Sequence, residues 1–193
     1  VYNTTNYLPL SSIFSNFLKR ENSKKFLLKA TFFVLNEGKL IKNKKKQEIL
    51  ALRKLALSDE ILMKVEKPAR YIGNELNSIV KDKDSVDIRV AMCFPDVYEI
   101  GMSHLGIQIL YDMFNKREDT WCERVYSPWS DLHQIMKEEN IPLFGLESQE
   151  PIKDFDFLGI TIQYEMCYTN ILQVLDLAQI PLLAKDRTEK HPI

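Results

Sequence analysis

Two short polar stretches of this chain could carry chemistry. The first is Asp96-Val97-Tyr98-Glu99-Ile100-Gly101, which directly follows the apolar run Ile88 to Phe94. The second is Thr161-Ile162-Gln163-Tyr164-Glu165, at the end of the apolar run 155–160. Carboxylates, phenols and amides hydrogen-bond to polar groups of a ligand, and a glycine permits close approach. These two stretches are therefore the candidate small-molecule site.

Each stretch leaves the carboxyl end of a predicted strand and precedes a helical pattern. In open α/β sheets, ligands bind where such loops leave the strands. The alternation of strands and helices therefore predicts that both stretches lie at the same end of a parallel sheet. The residues predicted to contact a cofactor or substrate are Asp96, Tyr98, Glu99, Gly101, His104, Thr161, Gln163, Tyr164 and Glu165.

Simpler roles compete with the ligand role at several of these positions. Asp96 could cap the helix that follows its loop. His104 lies one turn into that helix, but no second His, Cys or carboxylate stands at metal spacing, so no metal site is predicted. No catalytic residue is predicted either. Lys67 and Arg70 could contact an anion, although a structural role is the default for that segment.

The elements around the stretches predict an α/β domain over residues 87–193. A strand at 88–94 precedes a helix starting near Met102, with one apolar face for the sheet formed by Leu105, Ile109, Leu110, Met113 and Phe114. A short strand at 123–126 precedes a helix that Ser130 or Asp131 could cap. Pro142 marks an edge or irregular piece. A strand from Phe155 and a further helix follow, and His191-Pro192-Ile193 resembles the opening of another strand.

Composition limits the class of protein. The chain has 193 residues, 45% hydrophobic, with a formal net charge of -1, which suits one or two soluble domains. It contains no apolar run long enough to span a membrane. Cys93, Cys122 and Cys167 are scattered, which argues against disulfides or a metal site and favours a reducing, cytoplasmic setting.

The N-terminal part differs in charge from the rest of the chain. Residues 1–62 carry 12 Lys and Arg against 5 Asp and Glu, whereas residues 63–193 carry 14 against 22. We interpret residues 1–60 as a basic, poorly ordered leader with a possible helix at 48–62, rather than as a nucleic-acid-binding or membrane-binding arm. Residues 61–86, punctuated by Pro68 and Gly73, are predicted to be an ordered segment packing on the domain.

Three separated stretches carry a resemblance to a known family. They are Lys67 to Glu75, Phe94 to Ser103, and Gln163-Tyr164-Glu165 with Tyr168-Thr169-Asn170. In order and spacing they resemble the amino-terminal region of a radical S-adenosylmethionine family, in which a cobalamin-binding-type domain precedes the radical domain. The resemblance covers about residues 61–193. It implies a flavodoxin-like, mostly parallel sheet, which in this chain would be incomplete at its C-terminus.

The resemblance also implies cofactors. S-adenosylmethionine and a four-iron cluster, held by three closely spaced cysteines, would belong to a C-terminal radical domain in cis, and this chain has no such cysteine motif. Cobalamin is a possible cofactor, because Asp96-x-Tyr98-x-x-Gly101 resembles the Asp-x-His-x-x-Gly loop of cobalamin domains. Tyr98 replaces the cobalt-binding histidine, and a neutral phenol is a poor ligand at neutral pH. Gly101 would leave room for the cofactor's tail, Thr161 fits a second family loop, and Gln163 departs from it.

Two functions remain open. The chain is predicted to be the cofactor- or substrate-presenting N-terminal domain of a radical enzyme, acting on an unknown small molecule and lacking the catalytic core. The alternative is a non-catalytic α/β interaction module that has lost cobalamin binding, which Tyr98 favours. A response-regulator-like domain is less well supported, because no acidic pair with a phosphorylatable aspartate is evident.

Overall fold

The computed structural model describes residues 55–193, and in this range three parallel strands form the sheet. The strands are β1 (Ile88–Phe94), β2 (Thr120–Tyr126) and β3 (Phe157–Ile160), in the order β2-β1-β3. In the centre of the sheet, Val90 of β1 lies between Cys122 and Phe157 of the two neighbouring strands. The α/β class and the parallel sheet predicted from the sequence are confirmed.

Five α-helices surround or precede the strands in the described range. They are α1 (Asp59–Leu62), α2 (Tyr98–Gly101), α3 (Leu105–Asn115), α4 (Ser130–Glu139) and α5 (Cys167–Leu177). Short 3-10 turns occur at Pro68–Arg70, Lys83–Ser85, Ile152–Asp154 and Ala184–Asp186. None of the described helices has the length and apolarity that a membrane crossing requires.

The central strand sends alternate side chains into two hydrophobic clusters, one on each face of the sheet. Val90, Met92 and Phe94 pack with Ile107 and Tyr111 of α3. The intervening residues of β1 belong to the other cluster, together with residues of α4 and α5, among them Ala91, Cys93, Leu132, Met136 and Val174. Burying one large aliphatic side chain stabilises a fold by roughly 1.5–3 kcal/mol, so both faces contribute to holding β1 in place.

Helix α3 packs on the sheet with a different face from the one predicted. Leu105, Ile109 and Met113 are exposed, whereas Ile107, Tyr111 and Asn115 are buried. The two polar members of the buried face have partners: the Tyr111 hydroxyl accepts from the Ile79 N–H, and the Asn115 amide exchanges two hydrogen bonds with the Cys122 backbone. Leu110 and Phe114 of the predicted face do pack against the hydrophobic cluster on this face of the sheet. The prediction was wrong for the other three residues, because it counted only apolar side chains and left out buried polar residues whose hydrogen bonds are satisfied.

Element ends also differ from the sequence-based expectation. Strand β2 begins at Thr120 rather than at Glu123. The helix expected near Met102 is divided into α2 and α3, with His104 between them. Neither Ser130 nor Asp131 is the N-cap of α4, because Trp129 occupies that position and the Asp131 carboxylate accepts from the Leu132 and Glu66 N–H groups.

Residues 55–86 contribute to the core that lies under α4 and α5. Leu57, Ile61, Val65 and Tyr71 are buried in that cluster. Gly73 has a φ of 60°, and a Cβ atom there would lie 2.4 Å from the Leu146 carbonyl oxygen, so only glycine fits. Helix α1 covers the end of the predicted helix 48–62, while residues 1–54 of the predicted leader lie outside the described residues.

The outer edge of β3 carries a short parallel contact. The Ile193 N–H donates to the Asp156 carbonyl, and the Leu158 N–H donates to the Ile193 carbonyl, at 3.1 and 3.0 Å. This alternation is the hydrogen-bond pattern of parallel neighbours. Ile193 thus lies where a fourth strand would pair with β3, as the sequence predicted for residues 191–193.

Candidate functional site

The two predicted polar stretches lie at the same end of the sheet, because β1 and β3 are parallel neighbours. The Thr161 N–H donates to the Cys93 carbonyl at 3.0 Å, and the Asn170 side chain donates to the Pro95 carbonyl at 2.8 Å. Helices α3 and α5 pack on opposite faces, which makes the β1–β3 junction the point where the chain switches faces. Ligand sites of open α/β sheets form at this point. We call residues 96–101 and 161–165 the switch-point loops.

The second switch-point loop faces solvent. Gln163, Tyr164 and Glu165 are exposed, and Thr161 is half-buried. The pKa of the Tyr164 phenol is raised, first by Cys167 and then by the charge of Asp96 in the other switch-point loop. Asp96 also accepts the Val97 N–H through its carboxylate, although Val97 is the N-cap of α2. These residues offer an open, polar edge.

Tyr98 and Glu99 are directed to a different neighbour. The Tyr98 hydroxyl donates to Glu75 Oε1 at 2.8 Å, and burial followed by this hydrogen bond raises the Tyr98 pKa to about 12. Glu99 pairs with Arg70 Nε at 2.9 Å and with Lys67 Nζ at 3.3 Å. The structure therefore joins the middle of the first loop to segment 67–75 rather than to residues 161–165.

Gly101 is enclosed by aromatic side chains. A Cβ atom at this position would lie 2.5 Å from the Tyr126 ring and 3.1 Å from the Phe94 ring. Residue 101 is buried, so the missing side chain makes room for close packing of α2 against β1 and β2. This packing accounts for the glycine without a ligand.

His104 has a local structural role. It is the N-cap of α3, and its Nδ1 accepts the Ile107 N–H at 3.3 Å. Its ring lies 5.0 Å from the Phe94 ring. Within residues 55–193, no group of three His, Cys, Asp or Glu side chains is arranged to hold a metal ion.

These contacts bear on cobalamin, which the loop resemblance implied. The residue in the histidine's place donates its hydroxyl to Glu75. The glycine that should border the tail is covered by Tyr126 and Phe94 instead of lining a channel. The residues present therefore do not fit a cobalamin that is ligated from residue 98 with its tail beside Gly101.

Sequence reasoning missed a buried charge network at the β1–β2 side. Arg124 Nη2 donates to Glu75 at 2.7 Å, and Arg124 Nε donates to Glu147 at 2.6 Å. Burial raises the pKa of Glu147 to about 7, although Arg124 opposes the shift. Tyr98 joins this network through Glu75, so the network connects segment 67–75, α2, β2 and the loop at residue 147.

A second buried cluster lies on the opposite face of β2. Arg89 donates to Glu123 at 2.7 Å and to Glu150 at 2.5 Å, and Glu123 is fully buried. The Arg89 guanidinium also lies 3.9 Å from the centre of the Phe155 ring. The sequence signal for both buried networks was the pair of adjacent charges Glu123-Arg124 within an apolar strand, because a buried charge requires a partner.

A pocket opens beside the first network, at the carboxyl ends of β1 and β2. The 3-10 turn Pro68–Arg70, α2, the end of β2 and the loop after β2 contribute to its wall. We call it the β1/β2 pocket; its lining includes Arg70, Tyr98, Arg124, Tyr126, Trp129 and Phe144. Arg70 Nη1 and the Tyr126 hydroxyl are buried without a hydrogen-bond partner in the described structure.

Comparison with known proteins adds a family match. The sequence model of the family described as "Radical SAM proteins, N-terminal" matches residues 106–193, just under half of the chain. That segment contains β2, β3 and the loop 161–165, while the loop 96–101 precedes it. The C-terminal part of this chain is thus similar to the N-terminal region of radical SAM proteins. Neither the curated proteins nor the solved structures yielded a match.

Proposed function

We propose that this chain is the N-terminal, cofactor- or substrate-presenting domain of a radical SAM iron-sulfur enzyme. The family match over residues 106–193 is the observation that carries the proposal. S-adenosylmethionine and a four-iron cluster would supply the radical chemistry in a separate catalytic domain of the same protein. Cys93, Cys122 and Cys167 are buried and free in the core, so they are not placed to ligate that cluster.

The surface at the carboxyl end of the sheet supports the presenting role. Large apolar side chains are exposed on or next to both switch-point loops, namely Ile100, Met102, Ile162, Tyr164, Met166 and Tyr168. Exposed apolar side chains concentrated at one edge of a domain are typical of an interaction site, and we call these six residues the apolar patch. In the proposal, the radical domain covers this patch and encloses a substrate against Asp96, Gln163 and Glu165.

Presentation of a substrate is better supported than presentation of cobalamin. The contacts of Tyr98 and Gly101 inside the protein argue against the usual cobalamin loop. The same contacts favour the second candidate function, a cobalamin-free interaction module. The two candidates differ in whether the exposed polar residues of the loop 161–165 take part in turnover.

The test requires the full-length protein with its cluster reconstituted. Gln163→Ala and Glu165→Ala should lower the rate of S-adenosylmethionine cleavage at least tenfold, while leaving the cluster absorbance unchanged. Leu183→Ala is the control, since Leu183 is also exposed but follows α5, outside both switch-point loops. Loop variants as active as the control would refute presentation, and a downstream sequence without three clustered cysteines would refute the enzyme assignment.

Cobalamin binding is tested separately by titrating the same protein with cobalamin and following the visible spectrum of the corrin ring. We expect no saturable change in that spectrum. A saturable change that is lost in Gln163→Ala would instead assign cobalamin to the switch-point loops.

A further inference from the structure

The β1/β2 pocket contains two buried polar groups that the proposed function does not use. The Arg70 side chain is 10% exposed and Tyr126 is 9% exposed, yet neither Arg70 Nη1 nor the Tyr126 hydroxyl makes a hydrogen bond of normal length, although the Tyr71 phenol interacts with the Arg70 guanidinium. Buried polar atoms are nearly always paired with protein, water or ligand. Two such atoms in the lining of one pocket indicate that a polar group from outside the protein completes their hydrogen bonding.

The chemistry of the two groups determines which kind of ligand group they can bind. A guanidinium nitrogen is a donor only and is always charged, whereas a phenol can donate or accept. An anionic oxygen satisfies both as donors, and charge-assisted hydrogen bonds of this kind are about twice as strong as neutral ones. The pocket therefore favours an oxyanion over a cation or an apolar group.

The surrounding charges favour a single negative charge. Lys67 and Arg70 share Glu99, which leaves one formal positive charge on this side of the pocket. Arg124 is paired with two carboxylates, Glu75 and Glu147, and this group carries a formal charge of -1. The two groups cancel, and such nearly neutral surroundings accept a singly charged carboxylate more readily than a phosphate dianion.

The size of the pocket is compatible with a carboxylate oxygen. Its volume is about 410 Å³ when open solvent at the mouth is included. One water molecule takes up roughly 30 Å³ in the liquid, so the pocket is large enough for a polar group of a ligand. One oxygen can enter deeply while the rest of the molecule stays in the mouth, beside Trp129.

We propose that the β1/β2 pocket is a binding site for the carboxylate group of a small molecule, held by Arg70 Nη1 and the Tyr126 hydroxyl. This site shares Tyr98 with the first switch-point loop but includes no residue of the loop 161–165, and it stands independently of the radical SAM assignment. The carboxylate enters beside the Trp129 ring, over which the Arg70 guanidinium lies at 5.6 Å from the centroid.

Trp129 provides a direct readout. The chain has two tryptophans, and Trp121 is 3% exposed whereas Trp129 is 46% exposed and lines the pocket. The 193-residue chain is titrated with sodium acetate at constant ionic strength, balanced with sodium chloride, while tryptophan emission is recorded. We expect a saturable change with acetate, none with chloride alone, weaker binding of sodium phosphate, and loss of the signal in Trp129→Phe.

Three variants test the assignment of the donors. Arg70→Gln should weaken acetate binding at least tenfold, and Tyr126→Phe, which leaves the charge unaltered, should weaken it several-fold. Lys67→Gln is the matched control, because it removes a positive charge beside the same Glu99 but lies outside the pocket lining. Its affinity should stay within about twofold. Circular dichroism identifies any variant that fails to fold, and Tyr126→Phe then carries the test alone.

Three outcomes would overturn the proposal. A linear, unsaturable response to acetate would mean that water alone fills the pocket. Equal weakening in Arg70→Gln and Lys67→Gln would mean that an adventitious ion responds only to net charge. Tighter binding of phosphate than of acetate would refute the carboxylate preference.

Discussion

The two sides of the central strand β1 differ in how their polar residues are used. On the β2 side, Arg124 is held between Glu75 and Glu147, and Tyr98 extends the network. On the β3 side, Gln163, Tyr164 and Glu165 are exposed beside an apolar rim. Internal pairing fixes structure, whereas exposed polar groups at a switch point remain available to a partner or ligand. We call the β2 side, whose charge network borders the proposed carboxylate pocket, the structural side, and the β3 side, to which we assign the proposed presentation, the presenting side.

The largest loss of unfolding free energy is expected when Arg124, the centre of the charge network on the structural side, is replaced. Arg124→Met leaves two carboxylates without their cation, and breaking a buried pair from one side typically costs about 3–5 kcal/mol. Urea denaturation measures the loss of unfolding free energy. The matched change on the presenting side, Gln163→Ala, should alter it by no more than about 0.5 kcal/mol. Similar losses in both variants would abolish the distinction between the two sides.

The pH dependence of stability should reveal Glu147. Its pKa is raised by burial from 4.5 in the unfolded chain to about 7, so the folded protein binds this proton more tightly. Stability should therefore decrease as pH rises from about 4.5 to about 7, by at most roughly 3 kcal/mol, and then level off. Glu75 and Glu150 have lowered pKa values, so their contributions are lost only at more acidic pH.

Glu147→Gln supplies the control for that profile. The variant should show a shallower decrease between pH 4.5 and 7, with a residual slope from Glu123, whose pKa burial also raises. Free energies of unfolding measured at intervals across this range compare the two slopes. A wild-type stability that rises through the range would show that Arg124 keeps Glu147 ionised in the folded protein.

Gly101 lies at the boundary between the two sides, and its replacement tests packing against ligand binding. Gly101→Ala places a Cβ atom against Tyr126 and should cost about 1–3 kcal/mol, as overpacking does. Gly159→Ala makes only ordinary contact with Met92 and should cost less than about 1 kcal/mol. The melting temperatures of both variants, measured by thermal unfolding, distinguish the packing role of Gly101 from a ligand-binding role. An unaffected Gly101→Ala would restore the hypothesis that this position faces a cofactor.

Tyr98→Phe should have the smallest measurable effect. The change removes one hydrogen bond to Glu75, while Arg124 continues to pair with that carboxylate. The expected loss of unfolding free energy is about 1 kcal/mol. A double-mutant cycle with Glu75→Gln isolates the coupling between the two residues. Zero coupling would remove Tyr98 from the structural network.

The outline of the fold could be predicted from the sequence, whereas the side-chain pairing could not. Strands β1 and β3 appear as apolar runs, and their alternation with helices indicates a parallel sheet. The Arg89–Glu123 pair depends on the register in which Trp121 lies opposite Arg89, and that register is a non-local property. The buried face of α3 was predicted only in part, because Asn115 is polar in sequence yet its amide is hydrogen-bonded by the Cys122 backbone.

The candidate site was predictable to a similar degree. The positions of both switch-point loops follow from the order of strands and helices. The division of the first loop does not follow, since Tyr98 and Glu99 pair with Glu75 and Arg70, residues distant in sequence. Only the three-dimensional structure shows that Gly101 packs against Tyr126.

The central claim is that the carboxyl end of the sheet presents its loops to a radical domain. A photo-reactive amino acid in place of Tyr164 in the full-length protein tests it most directly, with the same replacement at Leu183 as the control. We predict intramolecular cross-links from position 164 to the domain that carries the three cluster cysteines, and none from position 183. Equal cross-linking from both positions, or none from position 164, would contradict the account.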